Sequence, residues 1–260
     1  MQSKIDATYI ELRERILFGE FPAGTSMTFD DIVEHTGVSA SMARQLLMAL
    51  AVGGYVTRSG RGSVVAAFTK EQVEEWRLAL CAIVEIGALR LALVGGQKLE
   101  AAAAFLDEHV RNVSVDDEAF FIGSVAYTTI ILGGNRSTLS QLVEQFIPQA
   151  FFRLLWLSDH YADRTGFLVE ASDTYLAAAR SRDLSGVRSA VRYFFDRTAP
   201  ALHTLIGELS AGKYPPKQKQ HALHSIEPQI TGIPTHTGSA RAVIPLLSPL
   251  AQAELKTPWP

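Results

Sequence analysis

The chain of 260 residues has one cysteine, Cys81. A single thiol excludes an intramolecular disulfide and a cysteine-rich metal site. It lies in an apolar helical run, where a buried, inert thiol is expected. An excess of positive charge is also missing: 24 Lys and Arg against 27 Asp and Glu leave a net charge of −3. Any contact with nucleic acid must therefore be concentrated on one small surface. No apolar run reaches the roughly 18 residues that span a bilayer. The opening MQSKIDATYIELRERI is charged from the start and lacks a signal-peptide core. A soluble, cytoplasmic protein with no membrane partner is expected. Catalytic signatures are scarce. There is no G-x-S-x-G elbow, and no glycine-rich loop opens a helix after a strand. Gly60-Arg61-Gly62 falls in a hairpin, and Asp116-Asp117-Glu118 sits at a helix start, where the macrodipole accounts for it. An enzyme is not expected, and a helical-bundle enzyme is only a remote alternative.

Proline is scarce for most of the chain: eight of the eleven prolines lie beyond residue 212. Hydrophobic residues make up 47%, enough to bury a sizeable core in two domains. The texture divides into residues 1–70, 71–211 and 212–260. The last stretch reads either as a flexible, proline-rich tail or as one that packs on a dimer partner through Val243, Ile244, Leu246 and Leu247. The overall expectation is a mainly α protein. Three helices and a β-hairpin, a winged helix-turn-helix, come first, and an all-α six-helix bundle follows.

In the first segment Ile5, Tyr9, Leu12, Ile16 and Leu17 recur at helical spacing, and Gly19 ends that helix. Thr28 with Asp31 makes a capping-box pattern before a short helix, and His35-Thr36-Gly37 supplies a turn. Ser39 caps the next helix, which buries Val38, Met42, Leu46, Leu47 and Leu50 and runs to about Val52. Residues 55–65 read as a hairpin with a glycine-rich tip. Two short helices joined by a tight glycine turn are a helix-turn-helix, the second sized for the DNA major groove. Its outward face carries Ala40, Ser41, Arg44, Gln45 and Met48. Ser39, Ser41, Arg44 and Gln45 can reach base edges or phosphates, and Arg58 and Arg61 on the hairpin suit a minor groove or a phosphate. The alternative is a solvated polar face with an ordinary charged hairpin. The partner expected here is double-stranded operator DNA.

Residues 5–66 resemble the GntR family of transcriptional regulators. The likeness rests on Leu12, Ile16, Gly19, Pro22 and Gly24, then Gly37-Val38-Ser39, Arg44, Leu47 and Leu50, then Gly54-Tyr55-Val56 and Gly60-Arg61-Gly62-Ser63-Val64-Val65. The resemblance implies a winged helix-turn-helix that binds a palindromic operator as a homodimer. Two positions depart from it: Ala40 stands where the family usually has arginine, and Asp30 where a basic residue is common. Over residues 1–70 seven Lys and Arg face seven Asp and Glu. Weak non-specific binding and a shallow salt dependence are therefore expected.

From Glu71 onward the spacing predicts helices only: one through Leu91, then Leu99 to Val113, Glu118 to Leu132, Leu139–Ser158, Thr165–Arg182 and Ser185–Leu209. A winged helix followed by such a bundle resembles the FadR branch of the family, with its FCD-type ligand-binding domain. Glu85, Leu132-Gly133-Gly134-Asn135 and the Ala177–Asp183 stretch support the match. The resemblance implies an effector pocket, and in many members a metal held by one Asp and three His. The corresponding positions here are Ile122, Ala126, Ser172 and Phe194, and a shift of one residue brings only Tyr127 and Asp173. His109 and His160 are isolated, and His221, His224 and His236 lie in the proline-rich stretch. No metal and no cofactor are expected. The effector is instead expected to be apolar or amphipathic (an acyl chain, an aromatic acid, a lactone), with Tyr127, Arg153, Tyr175 and Tyr193 as candidate contacts. Alternatively these tyrosines pack in the core and the arginines lie at the surface. The domain could also be a non-sensing dimerisation scaffold. A pocket of several hundred Å³ would favour sensing, and a filled core the scaffold.

Overall fold

The computed structural model describes residues 4–59, 62–113, 118–161 and 167–213. Two compact units emerge, one built mainly from Met1–Thr69 and the other from Lys70–Ile147 and Phe151–Leu205. The expected proline-rich tail lies outside the described residues, apart from Gly212 and Lys213.

The first unit orders α1 (Lys4–Leu17), α2 (Phe29–Thr36), α3 (Ala40–Val52), β1 (Val56–Ser59) and β2 (Gly62–Val65). Helix α1 buries Thr8, Leu12, Ile16 and Leu17, and both α1 and α2 pack on α3. Helix α2 starts with the complete capping box: the Asp31 amide donates to Thr28 Oγ1 at 3.2 Å, and the Thr28 amide donates to Asp31 Oδ2 at 2.7 Å. It ends at Gly37, whose φ of +65° only glycine adopts cheaply and whose amide caps the Val33 carbonyl. That left-handed residue turns the chain from α2 into α3. The hairpin pairs Val56 with Val65 and Ser59 with Gly62, and the stretch before α2 joins it through a Ser26–Val64 bridge. Ser63 and Val65 bond to residues 24–27 on one side of β2 while β1 pairs along the other, which fixes the base of the wing.

The second unit is helical: α4 (Lys70–Val94), α5 (Gly96–Leu106), α6 (Glu118–Ile131), α7 (Thr138–Phe146), α8 (Gln149–Tyr161), α9 (Phe167–Arg180) and α10 (Leu184–Ser210). Helix α4 contacts α5, α6, α7 and α9, and its buried residues Val73, Arg77, Leu80, Val84, Ala88 and Leu91 follow a three-and-four spacing. Buried Arg77 is matched by Glu74 at 2.7 Å and Asp196 at 3.4 Å.

Two details differ from the sequence expectation. The single helix expected over 139–158 is divided into α7 and α8. Pro148 lacks an amide proton and forces its predecessor out of helical geometry, and Ile147 is extended at φ −108° and ψ 112°. The helix expected over 99–113 starts earlier, at Gly96, and changes at Asp107 into a π-helical turn through Arg111. That turn lies against α6, and a methyl group added at Gly123 would sit 2.3 Å from the His109 carbonyl oxygen. A backbone atom cannot step aside as a side-chain end can. Gly123→Ala should therefore cost about 2 kcal/mol of unfolding free energy through overpacking. An uncrowded helical glycine changed to alanine would instead gain up to about 1 kcal/mol. Urea denaturation followed by circular dichroism reads the sign directly.

Candidate functional site

In the first unit the outward face of α3 is built by register. Residues 41, 44, 45 and 48 fall on one side of the helix, and Ser41, Arg44, Gln45 and Met48 are all exposed, Met48 at 70%. The opposite side buries Ala43, Leu46 and Leu50. Arg44 holds its guanidinium carbon 5.1 Å from the centre of the Phe29 ring. An aromatic face orients a guanidinium without neutralising it. Among the described residues no carboxylate pairs with Arg44 or Arg58. The other described arginines of this unit are spoken for: Arg13 is buried against Glu14 at 2.8 Å, and Arg15 is held by Glu20 at 2.7 Å and Glu11 at 3.5 Å. Ser39 precedes the helix and accepts from the Met42 amide at 3.3 Å. Its hydroxyl proton remains available at the positive end of the helix dipole, where phosphate binds well. Arg58 lies exposed on β1, opposite Ser63. Arg61 lies outside the described residues.

In the second unit α4, α6, α8, α9 and α10 line a half-open cavity of about 110 Å³. Much of its wall comes from phenylalanine doublets. Phe120 and Phe121 on α6, Phe152 of the Phe151-Phe152 pair on α8, and Phe194 and Phe195 on α10 all line it, together with Trp156. Sequence reasoning passed over this signal, although three FF pairs on three predicted helices were in plain view. Among the described lining residues there is no Asp, Glu, Lys, Arg or His.

The four candidate contacts are placed differently. Tyr127 and Tyr175 line the cavity and are buried. The Tyr127 hydroxyl meets no hydrogen-bond partner of acceptable geometry. The Ser172 hydroxyl is close enough to ease its proton slightly, but burial dominates and pushes the phenol well above its ordinary range. Tyr175 is pushed upward by burial as well, and its hydroxyl donates to the Ala88 carbonyl at a long 3.5 Å. Arg153 is buried but is not part of the lining. It stacks on the wall, 3.8 Å from the Trp156 ring centre and 4.9 Å from that of Phe121. Tyr193 is also outside the lining, 39% exposed, with its hydroxyl 3.4 Å from Glu170 Oε1. The arginine-and-tyrosine clamp is therefore not assembled around the cavity; two of its phenols are.

The metal ligand set of the FadR branch does not fit these residues. Ser172 and Phe194 line the cavity and Ala126 is buried beside it, so the donors on offer are one hydroxyl, a methyl and rings. Asp173, one residue away, is exposed and engaged by Arg111 at 3.0 Å and by a second, shorter bond. His109 stacks on Phe105 with ring centres 4.5 Å apart. Among the described residues no three His, Cys, Asp or Glu cluster as metal ligands. Among them, too, no helix is long and apolar enough to cross a membrane.

No family profile matches the sequence, and no curated protein matches it. Solved structures do. Lar, which controls the expression of the Listeria monocytogenes agr system, superposes with a TM-score of 0.57 at 15% identity, covering 78% of this chain and 98% of that one. McbR/YncC of E. coli gives 0.53 at 18% identity over 78% and 99%. A GntR transcriptional regulator from Rhodococcus sp. RHA1 gives 0.54 at 18% identity over 77% and 98%. The chain thus has the fold of a winged helix-turn-helix followed by an all-α domain. That fold is shared with a GntR regulator, at identities where the likeness is one of fold.

The two roles available to Ser39 and Ser41 separate by stability. Ser39→Ala removes a helix cap and should cost about 1 kcal/mol. Ser41→Ala, on the open face, should stay within about 0.5 kcal/mol. Thermal unfolding of the two variants side by side checks the assignment.

Proposed function

We propose that the protein is a DNA-binding transcription regulator, a repressor of the GntR type and its FadR branch, and not an enzyme. On this reading residues 1–70 bind operator DNA in the cytoplasm. Residues 71–211 dimerise and sense a small apolar effector without metal. The observation that carries it is the face of α3: Ser41, Arg44 and Gln45 stand exposed together on a helix-turn-helix, with the arginine oriented by Phe29 and unneutralised. The fold neighbours support the same reading. The cavity of about 110 Å³ falls short of the several hundred Å³ that would favour sensing over a scaffold; the sensing reading rests on the bundle not being filled, and a cavity of that size suits a small effector.

The homodimer is supported by helix α4, which buries one side and leaves Leu78, Ile86 and Leu93 more than half exposed on another. Leu78 and Leu93 are 15 helical steps apart, about 22 Å of helix. An apolar stripe of that length on a helix is an association surface, and a second copy of the chain is its proposed occupant.

Effector binding would act by changing the spacing of the two recognition helices in the dimer, since half-sites lie a fixed number of helical turns apart. Fluorescence anisotropy on the DNA upstream of the protein's own gene, against scrambled DNA, tests the main reading. Specific binding should weaken by about 1–3 kcal/mol, roughly five- to a hundredfold, in Arg44→Ala. With Arg13 and Arg15 occupied, the slope of log K against log salt should be shallow, reporting fewer than about five phosphate contacts. Equal affinity for scrambled DNA, or a slope near ten, contradicts the reading. Ile86→Asp should shift the protein to monomer in sedimentation velocity, and an unchanged dimer would remove α4 from the interface.

A further inference from the structure

The cavity of the helical unit has a definite chemistry that narrows its occupant, a conclusion that rests on reading that cavity as the effector site. Its described lining holds five hydroxyls: Ser124, Tyr127, Thr128, Ser172 and Tyr175. Two are spent on their own helix, Ser124 donating to the Phe120 carbonyl at 2.7 Å and Thr128 to the Ser124 carbonyl at 2.9 Å. Tyr175 reaches the Ala88 carbonyl, although at the limit of a hydrogen bond. Tyr127 is different: it is 1% exposed, in the cavity wall, and its hydroxyl has no partner beyond the loosely placed Ser172. A buried hydroxyl left unpaired is destabilising, so such a group commonly marks a place where something else binds.

Charge and size set the other limits. No charged side chain lies among the described lining residues, and the Arg153 guanidinium is stacked on Trp156 and Phe121. An ionised carboxylate entering here would lose its water and meet no charged side chain among the described lining residues. The volume of about 110 Å³ is of the order of an apolar cavity that admits benzene, about 150 Å³. It accommodates one ring.

We infer that the cavity takes an uncharged, single-ring molecule bearing one hydrogen-bond acceptor, such as a ketone or lactone carbonyl, to which the Tyr127 hydroxyl donates. Of the effectors that the sequence alone left open, the lactone fits this lining, whereas the carboxylate of an aromatic acid meets no charged side chain among the described lining residues. Phe120, Phe121, Phe194 and Phe195 supply the ring contacts, and Tyr127 reads the acceptor.

Calorimetric titration of the full chain with three probes of one ring size tests this: acetophenone, toluene and benzoate, on the native protein and on Tyr127→Phe. Acetophenone should bind the native protein, and benzoate about 100-fold more weakly or not at all. In Tyr127→Phe the affinity for acetophenone should fall about tenfold while that for toluene holds or rises. The variant removes an unpaired buried hydroxyl, so its unfolding temperature should hold or increase, which separates a lost hydrogen bond from a lost fold. Benzoate binding as well as acetophenone overturns the inference. So does an acetophenone affinity that Tyr127→Phe leaves unchanged, while toluene binding keeps the cavity as an effector site. If none of the three probes binds, the effector reading of the cavity fails, and this inference fails with it.

Discussion

The helical unit depends on the burial of one side of α4. Its 25 residues present Val73, Leu80, Val84, Ala88 and Leu91 to the neighbouring helices. Each large aliphatic side chain removed from water contributes about 1.5–3 kcal/mol. Because α5, α6, α7 and α9 all rest on the same helix, their positions are set by one stripe of side chains. The cavity follows from it: Leu80 and Val84 close one wall, and the aromatic residues of α6, α8 and α10 close the others. Large rings meeting from three helices do not fill the space as completely as branched aliphatic side chains would, and a void remains between them.

The first unit leaves little of its charge uncommitted. Its polar residues are consumed mainly by architecture. Asp31 completes a cap, Arg13 is buried with Glu14, and Arg15 is braced by two glutamates. What stays free on α3 is a short face with a single described cation, Arg44, held over Phe29. On the proposed reading, recognition through so few groups would be set by geometry more than by net charge, in keeping with a chain of −3.

Much of this was legible in the sequence. The Thr28–Asp31 cap, the Gly37 turn, the Ser39 cap and the end of α3 at Val52 all appear as the residues dictate, because caps and turns are local and need only a few neighbours. The hairpin was readable from its glycine-rich tip. The helical unit was readable in kind but not in detail. Pro148 breaks a helix as proline should, yet Pro200 sits inside α10. Buried Phe195, Thr198, Leu202 and Leu205 on either side hold that helix together against the roughly 3 kcal/mol that an interior proline costs. Periodicity does not reveal such compensation. Nor could it place Arg153 and Tyr193 relative to the cavity, since one residue of helical rotation, about 100°, decides whether a side chain faces a void or its wall.

The π-helical turn at Asp107–Arg111 has a consequence for how this chain tolerates insertion and deletion. Such a turn holds one more residue than the α-helical turn it replaces. Removing one residue there would let the segment relax into ordinary helix while leaving the side chains before and after it on their present faces. Everywhere else along α4 to α10 a single deletion within a helix turns the downstream face by about 100° and takes its apolar stripe out of the core. The turn is therefore the one described helical stretch of this unit where chain length and helical phase are uncoupled, and length variation among relatives of this protein should collect there.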